Sequence, residues 1–422
     1  NAATMLQDGE ENDIRQLRQT GVRDFQDTTT DDVNTATATQ TGNGNSIQNL
    51  QQRYEIAVGT AANSLVLSQT GNDNLVKQAF QYGAGNSLNA AFDGDRNGAT
   101  PLSGVSLLPA PPGVPSSAAG RHSSYLIQDG LDNDIKLDVD ANDTAFGFYQ
   151  LGEGNSVNTV AITGDFNSMG VRQEGNENTV NQTSITSVMN VIGVLQQGDE
   201  NRYQMTQLGG DGNIVDVDQF ENNNEVGLRI GNGSDDNEVT VLQTGLPSAG
   251  KNRFSVRIRN ESDRNDIDVT QTDKGPGTVD VRGSDNDIDV VQDGTNFADV
   301  KVGNQTVPSD NNTLNVGQTG GAGGRNEVFV DLFGSDNNAT GFSGTTTSAA
   351  ASAASLGQGD LFQSGVGNSM TLEIGTSTLG SDGNVFAMRQ DGDFNVIEGA
   401  IAGTANEAVV VQVGNANTTG FT

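Results

Sequence analysis

The stretch "NDIDVVQDGTN", residues 286 to 296, decides the predicted fold. Alternate residues of a β-strand point to the same face of a sheet, so one face here carries an amide, two aliphatic residues and a second amide. These residues are Asn286, Ile288, Val290 and Gln292. Gly294 then breaks the run, and Asn296 begins another. The pattern predicts a short strand with an amide at each end of its inward strip, followed by a reversal of the chain.

The same unit recurs along the chain as Asn-x-apolar-x-apolar-x-Gln-x-Gly, with an apolar residue in place of Gln in many copies. Clear copies begin at Asn63, Asn167, Asn237 and Asn384. A Gly-x-x-Asn turn separates neighbouring copies, because Gly and Asn tolerate the positive φ angles that a tight reversal needs. The predicted turn glycines are Gly71, Gly83, Gly130, Gly152, Gly175, Gly198, Gly294, Gly392 and Gly414.

A longer period lies above this unit, since Gln alternates with an apolar residue from one arc to the next. The glutamines at 128, 150, 173 and 196 follow one another at 22, 23 and 23 residues. A repeat of this length is typical of stacked architectures. The sequence therefore predicts an all-β solenoid of stacked two-strand coils, about 22–23 residues per coil, with two parallel in-register sheets face to face.

Stacking places every inward amide over its copy in the next coil, where the amides can form hydrogen-bonded ladders. A buried amide without a partner costs about 1–3 kcal/mol, so a ladder also opposes slips of register. The predicted ladder residues are Gln69, Gln128, Gln150, Gln173, Gln196, Gln243, Gln271, Gln292, Gln318, Gln390, Gln412, Asn133, Asn155, Asn178, Asn265 and Asn286. Outward acids form a solvated face and include Asp138, Asp140, Asp266, Asp268, Asp287 and Asp289.

Two stretches interrupt the repeat. Residues 98-124 contain five of the eight prolines, and residues 339-357 are small and polar. Both are predicted to be loops extruded from a turn of the solenoid. The coils then occupy 1-97, 125-338 and 358-422 as one continuous solenoid domain.

Charge and composition exclude several classes of partner. The chain has 21 Lys plus Arg against 54 Asp plus Glu, and a net charge of -33. This charge opposes binding to nucleic acid, and no stretch has the ~18 apolar residues of a membrane span. Cys is absent, which excludes disulfides and thiolate sites. The start at Asn1 predicts a mature secreted form after signal-peptide removal, although a trimmed sequence would look the same.

Several turns resemble the curlin repeat, whose units carry inward Gln and Asn around a Gly-x-Gly-Asn turn. The matching segments are "QTGNGN" at 40, "QYGAGN" at 81, "QLGEGN" at 150 and "QSGVGN" at 363. The resemblance covers nearly the whole chain except the two insertions. It implies a secreted subunit of curli-like functional amyloid, an extracellular cell-surface fibre of biofilm matrix and adhesion. The implied partners are further copies of the chain, a nucleator subunit and secretion chaperones.

Residues suited to catalysis are sparse. His122 is the only histidine and lies in the Pro-rich insertion, without the partners that a metal or catalytic site needs. Acid pairs such as Asp235 with Asp236 are similar to the acid clusters of β-helical polysaccharide-cleaving enzymes. Acids are, however, dispersed along every coil, which favours a charged surface. We therefore expect no enzyme activity, no cofactor and no dedicated metal site.

Two alternatives to a fibre subunit remain open. The acidic turns "GGDGN" at 209 and "GSDDN" at 233 offer oxygen ligands for calcium, but the calcium-binding β-roll repeats every nine residues with Asp where this chain has Asn. Loose binding of divalent cations to the acidic surface stays possible. The other alternative is a monomeric acidic solenoid adhesin. Ice binding would need ranks of Thr-x-Thr, and only "TATAT" at 35 resembles one.

The ends of the chain continue the inward pattern. In "NEAVVVQVGNANTTGFT" the inward positions include Ala408, Val410 and Gln412, and neither Lys nor Pro interrupts them. A solenoid's end coils expose unpaired strand edges, which soluble proteins usually blunt with charge, proline or a cap. These three residues are therefore the predicted polymer interface of a head-to-tail filament.

Overall fold

The computed structural model of the chain describes most of its 422 residues. The described residues are 1–21, 34–54, 62–100, 102, 124–181, 183–205, 207–231, 233–245, 252–259, 263–271, 276–294, 296–303, 309–320, 325–375 and 380–422. The chain divides into two compact units, Asn1–Asn222 and Asn223–Thr422. The division lies away from both predicted insertions.

The first unit is made of strands only, within its described residues. Its strands are β1 (Ala2–Asp8), β2 (Asp13–Ile14), β3 (Leu17–Gly21), β4 (Thr35–Thr41), β5 (Ser46–Ile47), β6 (Leu50–Tyr54), β7 (Ser64–Thr70), β8 (Leu75–Val76), β9 (Gln78–Ala84), β10 (Ser87–Asp93), β11 (Tyr125–Leu131), β12 (Asp134–Asp140), β13 (Ala145–Glu153), β14 (Ser156–Ile162), β15 (Ser168–Glu174), β16 (Thr179–Asn181), β17 (Thr183–Ile185), β18 (Val191–Gln197), β19 (Arg202–Met205) and β20 (Ile214–Glu221).

These strands form two long parallel sheets. The first sheet has the order β1-β4-β7-β10-β12-β14-β16-β19, with β17 also beside β14, and the second has the order β3-β6-β9-β11-β13-β15-β18-β20. A short third sheet pairs β2, β5 and β8. Strands that are neighbours in a sheet are separated in sequence by a strand of the other sheet. The predicted all-β solenoid of two-strand coils with parallel sheets face to face is therefore confirmed.

The second unit repeats this plan with shorter strands and one helix. Its elements are β21 (Asn224–Leu228), β22 (Glu238–Gly245), β23 (Asn252–Arg253), β24 (Thr270–Gln271), β25 (Val290–Asp293), β26 (Asn296–Phe297), β27 (Lys301–Val302), β28 (Asn315–Gly320), β29 (Asn326–Val328), β30 (Asp331–Leu332), α1 (Thr345–Ala354), β31 (Asp360–Gly365), β32 (Ser369–Met370), β33 (Val385–Asp391), β34 (Val396–Ile397), β35 (Glu407–Val413) and β36 (Thr418–Thr419). One sheet has the order β22-β24-β25-β28-β31-β33-β35, and the opposite side carries β21-β23, β26-β29-β32-β34-β36 and β27-β30.

Inward and outward residues alternate as the period of a strand requires. In the opening stretch, Ile288 and Val290 are fully buried, Gln292 is buried, and Asp287 is exposed. Regular pairing begins later than predicted, since β25 starts at Val290 and Asp287 makes only isolated bridges. Aliphatic side chains stacked in register between the sheets form a continuous apolar core, and each such burial stabilises the fold by about 1.5–3 kcal/mol.

The described residues at both ends of the first predicted insertion are hydrogen-bonded to the next coil. Gly98 N–H donates to Thr144 O at 2.7 Å, and the returning Ser124 N–H donates to Phe146 O at 2.6 Å. The Phe146 ring stacks on Phe92 at 4.5 Å and fills the core beside Gly98. His122 lies outside the described residues.

The second insertion contains helix α1, so the prediction of a loop throughout 339-357 is wrong. The Glu407 carboxylate accepts hydrogen bonds from the backbone N–H groups of Ser343 and Gly344 at 2.7 and 2.8 Å. Hydrogen bonds from the hydroxyl groups of Ser343 and Thr347, together with these backbone contacts, lower the pKa of Glu407 to about 2. At the other end of the helix, Arg389 Nη1 donates to Ala354 O at 3.1 Å. An anion at the N-terminus and a cation at the C-terminus both complement the helix dipole.

Close stacking explains the turn glycines better than backbone angle alone. All nine predicted turn glycines have positive φ. At Gly175, where φ is 112°, a Cβ atom would lie 2.1 Å from the carbonyl oxygen of Gly198 in the next coil. A side chain at this position would thus force neighbouring coils apart.

Gly175→Ala should lower the free energy of unfolding by about 1–3 kcal/mol, because it combines a disfavoured φ with this clash. Chemical denaturation followed by circular dichroism measures the change. Gly227→Ala is the matched control, since a Cβ there meets no atom within 4 Å. Equal losses in the two variants would contradict the stacking explanation.

Candidate functional site: amide columns and open strand edges

One continuous column of glutamines runs through the second sheet of the first unit. Each Nε2 donates to the Oε1 of the glutamine in the next coil, at 2.7–3.0 Å. The column consists of Gln19, Gln52, Gln81, Gln128, Gln150, Gln173, Gln196 and Gln219. All seven bonds point from the earlier to the later coil, so the column has a direction.

Some of these glutamines also close the turn of their own coil. Gln150 Nε2 donates to the carbonyl oxygens of Asp134 and Asn155, both at 3.0 Å, besides its bond to Gln173. Gln128 makes the equivalent contacts with Ser87 O and Asn133 O. One amide therefore joins two neighbouring coils and ties the end of one strand to the start of the next.

Gln69 belongs to a second, shorter column in the first sheet. Gln7 Nε2 donates to Gln40 Oε1 at 2.7 Å, and Gln40 Nε2 donates to Gln69 Oε1 at 2.9 Å. The next residue in register is Phe92, so Gln69 Nε2 has no hydrogen-bond partner among the described residues. The structure thus separates Gln69 from the other predicted ladder glutamines and reveals where its column stops.

In the second unit the glutamine column is broken and changes direction. Gln243, Gln271, Gln292, Gln318, Gln363, Gln390 and Gln412 lie in register. Gln318 Nε2 donates backwards to Gln292 Oε1 at 3.1 Å, whereas Gln390 Nε2 donates forwards to Gln412 Oε1 at 2.9 Å. Gln292 Nε2, Gln318 Oε1 and Gln363 Oε1 are left without partners within the described part of the chain, so the predicted ladder is interrupted at Gln292 and again between Gln318 and Gln363.

Asparagines at the strand starts form further columns, in which N–H groups of the later coil donate to the side-chain Oδ1 of the earlier coil. Asn133 Oδ1 accepts from the backbone N–H of Asn155 at 3.0 Å, while Asn133 Nδ2 donates to Gly152 O at 2.9 Å. Asn155 and Asn178 repeat this arrangement. In the second unit, Asn286 N–H and Nδ2 both donate to Asn265 Oδ1 at 3.3 and 3.1 Å. Each asparagine therefore fixes the turn of the following coil.

The turns contain a column that sequence reasoning missed. In many turns the residue after the glycine accepts, through its side-chain oxygen, a backbone N–H of the preceding coil. Asn72 N–H donates to Asp95 Oδ1 at 2.7 Å, and Asn176 N–H donates to Asp199 Oδ1 at 2.8 Å. Asn, Asp and Ser all fill this position, since it requires only an acceptor. In the sequence, this acceptor is the second residue of turns such as "GNEN" at 175 and "GDEN" at 198.

The two acidic turns that offer oxygen ligands for calcium take part in this column of hydrogen bonds. Asp211 of "GGDGN" accepts the Val188 N–H at 3.0 Å, and Asp235 of "GSDDN" donates its N–H to Asp263 Oδ1 at 3.1 Å. Within the described ranges, no three His, Cys, Asp or Glu side chains are grouped as a metal site would require. The turn carboxylates act as hydrogen-bond acceptors between coils.

The end coils expose unpaired strand edges. Strands β1 and β3 each pair with one neighbour among the described strands, as do β35 and β36. All of β1 is exposed, including Met5 at 51 %, although Met5 occupies an inward position in register with Ala38. The predicted interface residues Ala408 and Val410 are half-buried, and Gln412 is buried.

Backbone groups alternate along such an edge. Gly414 N–H donates to Asp391 O at 2.9 Å, so residues of even number in β35, such as Val410, direct their backbone groups to β33. Val411 and Val413 therefore present N–H and C=O groups at the open edge. At the opposite end, Leu50 N–H donates to Gln16 O, which leaves the backbone groups of Leu17 and Gln19 open.

No family model matches the chain, and no curated protein matches it. No helix within the described residues has the length and apolar character needed to cross a membrane.

Two outward acids of the first unit are half-buried. Desolvation raises the pKa of Asp216 to about 6, and repulsion by Asp218 acts in the same direction. One carboxylate oxygen of each residue has no hydrogen-bond partner in the part of the chain that the structure describes. Asp216 is therefore protonated more easily in the folded chain than in the unfolded chain.

Replacement of Gln150 by Leu should lower the free energy of unfolding by about 1–3 kcal/mol, because it removes the donor to the buried Gln173 Oε1 and to the carbonyl oxygens of Asp134 and Asn155. Gln173→Leu should behave alike. Asp138→Asn, at an exposed outward position, is the control and should change stability by less than about 0.5 kcal/mol. Comparable losses would contradict the inward and outward assignments.

The raised pKa of Asp216 should make the chain more stable in mild acid. The contribution of this group is fully present below its unfolded pKa of 3.8 and is lost as the pH rises through about 6. The free energy of unfolding should therefore be larger at pH 5 than at pH 7.5, and Asp216→Asn should flatten that difference. An unchanged slope in the variant would refute the assignment.

Proposed function

We propose that the chain is a secreted structural subunit that stacks head to tail into extracellular curli-like fibres of biofilm matrix and adhesion. The observation that carries the proposal is the match between the two open edges. At one edge Gln19 begins the forward-pointing column of the first unit, and at the other Gln412 ends the forward-pointing run of Gln363, Gln390 and Gln412 in the second unit. The turn motifs similar to the curlin repeat support the same conclusion.

Column direction selects the orientation of stacking. When Gln412 of one copy lies beneath Gln19 of the next, the Nε2 donor of Gln412 faces the Oε1 acceptor of Gln19. Two first coils brought together would oppose acceptors, and two last coils would oppose donors. Because a contact between different ends does not close, it propagates an open filament.

The same register also satisfies the backbone. With Gln19 opposite Gln412, Val411 N–H meets Leu17 O, Gln19 N–H meets Val411 O, and Val413 N–H meets Gln19 O. These are the groups that alternation leaves open on each edge. The glutamine column and the backbone hydrogen bonds therefore require the same register between the two copies.

One observation favours the alternative of a monomeric acidic solenoid adhesin. Gln412 Nε2 donates to Thr419 Oγ1 of its own coil at 2.8 Å, which occupies the donor that the next copy would use. Electron micrographs of the purified chain separate the two functions, since one gives filaments and the other gives separate short rods.

Val411→Pro should block elongation, because it removes an N–H at the open edge while leaving the pairing of β35 with β33 intact. We expect an unchanged unfolding midpoint of single chains and at least a tenfold slower growth of seeded filaments, measured by light scattering. Val411→Ala keeps the N–H and is the control. Wild-type growth of the proline variant would rule out stacking through this edge.

A further inference from the structure

On the outer side of β22, β24 and β25 in the second unit, the charged residues are all acidic. The same is true of residues 266–269 and 287–289, which precede β24 and β25. The acidic face consists of Glu238, Asp266, Asp268, Asp287, Asp289 and Asp293, and no Lys or Arg lies outward within described residues 238–245, 266–271 and 287–293. Arg264 precedes this face in a turn and pairs with Asp285 at 2.9 Å. Glu238, Asp266 and Asp287 are in register as successive bridge partners. At least one carboxylate therefore recurs at every coil, at the strand spacing of about 4.8 Å.

The opposite outer side is enriched in cations. The basic face consists of Arg229, Arg253, Arg257, Arg259, Arg282 and Lys301, interspersed with Glu225, Asp280 and Asp299. Six cations against three acids leave a net charge of about +3 in a chain whose total is -33. Arg253 pairs with Glu225 and Arg259 with Asp280 within the face, and Lys301 pairs with Asp331 of the next coil. The pairing is incomplete because the cations outnumber the acids.

Both faces carry repulsion that the unit itself does not neutralise. Desolvation, followed by repulsion from Asp266 and Asp268, raises the pKa of Asp287. On the other side, desolvation and the neighbouring Arg259 lower the pKa of Arg282. A surface of opposite charge laid against either face would relieve this repulsion.

We propose that the basic face of one copy docks on the acidic face of a second copy, side by side. The charges on both faces recur at one strand spacing, so two parallel copies match coil for coil. Unrelated partners would lack this spacing. The contact uses neither open strand edge, so it does not depend on head-to-tail stacking. It would join filaments laterally where filaments form.

Only charged groups that face each other across the contact contribute to such docking. At physiological ionic strength the Debye length is about 8 Å, so the remaining negative charge of the chain is largely screened. At 1 M salt the length falls to about 3 Å, and the paired faces lose their attraction as well. Association should therefore be strong near 0.15 M salt and lost at 1 M.

Two charge-reversal variants test the proposal, both made in the Val411→Pro background so that end-to-end growth does not contribute. One carries Arg229→Glu with Arg257→Glu, and the other carries Asp266→Lys with Asp287→Lys. Analytical ultracentrifugation of the parent should show at least a twofold mass of the single chain. Each variant alone should sediment as a single chain. Their equimolar mixture should recover a dimer, since it brings one intact basic face to one intact acidic face.

The control variant carries Asp138→Lys with Asp140→Lys, which alters net charge as much as the acidic-face variant but lies on β12 of the first unit. It should associate like the parent. Neutral substitutions, Arg257→Gln and Asp266→Asn, replace the reversals if circular dichroism shows unfolding. A parent that stays a single chain, variants that still self-associate, or a mixture that stays unassociated would each overturn the proposal.

Discussion

The structure depends on one distance, the separation of about 4.8 Å at which parallel strands exchange hydrogen bonds. Residues of paired strands have counterparts at that distance in the next coil. Side chains that bind their own kind are stabilised by this arrangement, and side chains that repel their own kind are destabilised. Gln150 over Gln173 illustrates the first case. Asp266 beside Asp287 illustrates the second.

The interior uses this constraint to select residue types. A primary amide offers donor and acceptor on opposite sides, so identical amides satisfy one another without a second kind of residue. The short column through Gln69 shows the cost of interruption, because replacement of the next rung by Phe92 leaves a buried donor unpaired. At the turns, the approach of successive carbonyl groups leaves no space for a Cβ atom, as at Gly152.

Periodicity in the sequence was enough to predict the coils, the inward strip from Asn286 to Gln292 and the parallel sheets. It did not separate Gln69 from the column of Gln128, because both occupy the same position of the single-arc motif and only the two-arc register distinguishes them. Helix α1 was missed for another reason. Its ends are held by Glu407 and Arg389, which are distant in sequence. The acceptor role of Asp95 and Asp199 was hidden by their charge, which suggests a solvated surface.

The uniform direction of the glutamine column in the first unit has an electrical consequence. Backbone dipoles in a sheet largely cancel, since neighbouring residues of a strand direct their peptide groups to opposite sides. The side-chain amides from Gln19 to Gln219 do not cancel, because all seven of their hydrogen bonds point the same way. Their dipoles add along the column as peptide dipoles add along a helix, with the positive pole towards Gln219 and the negative pole at Gln19.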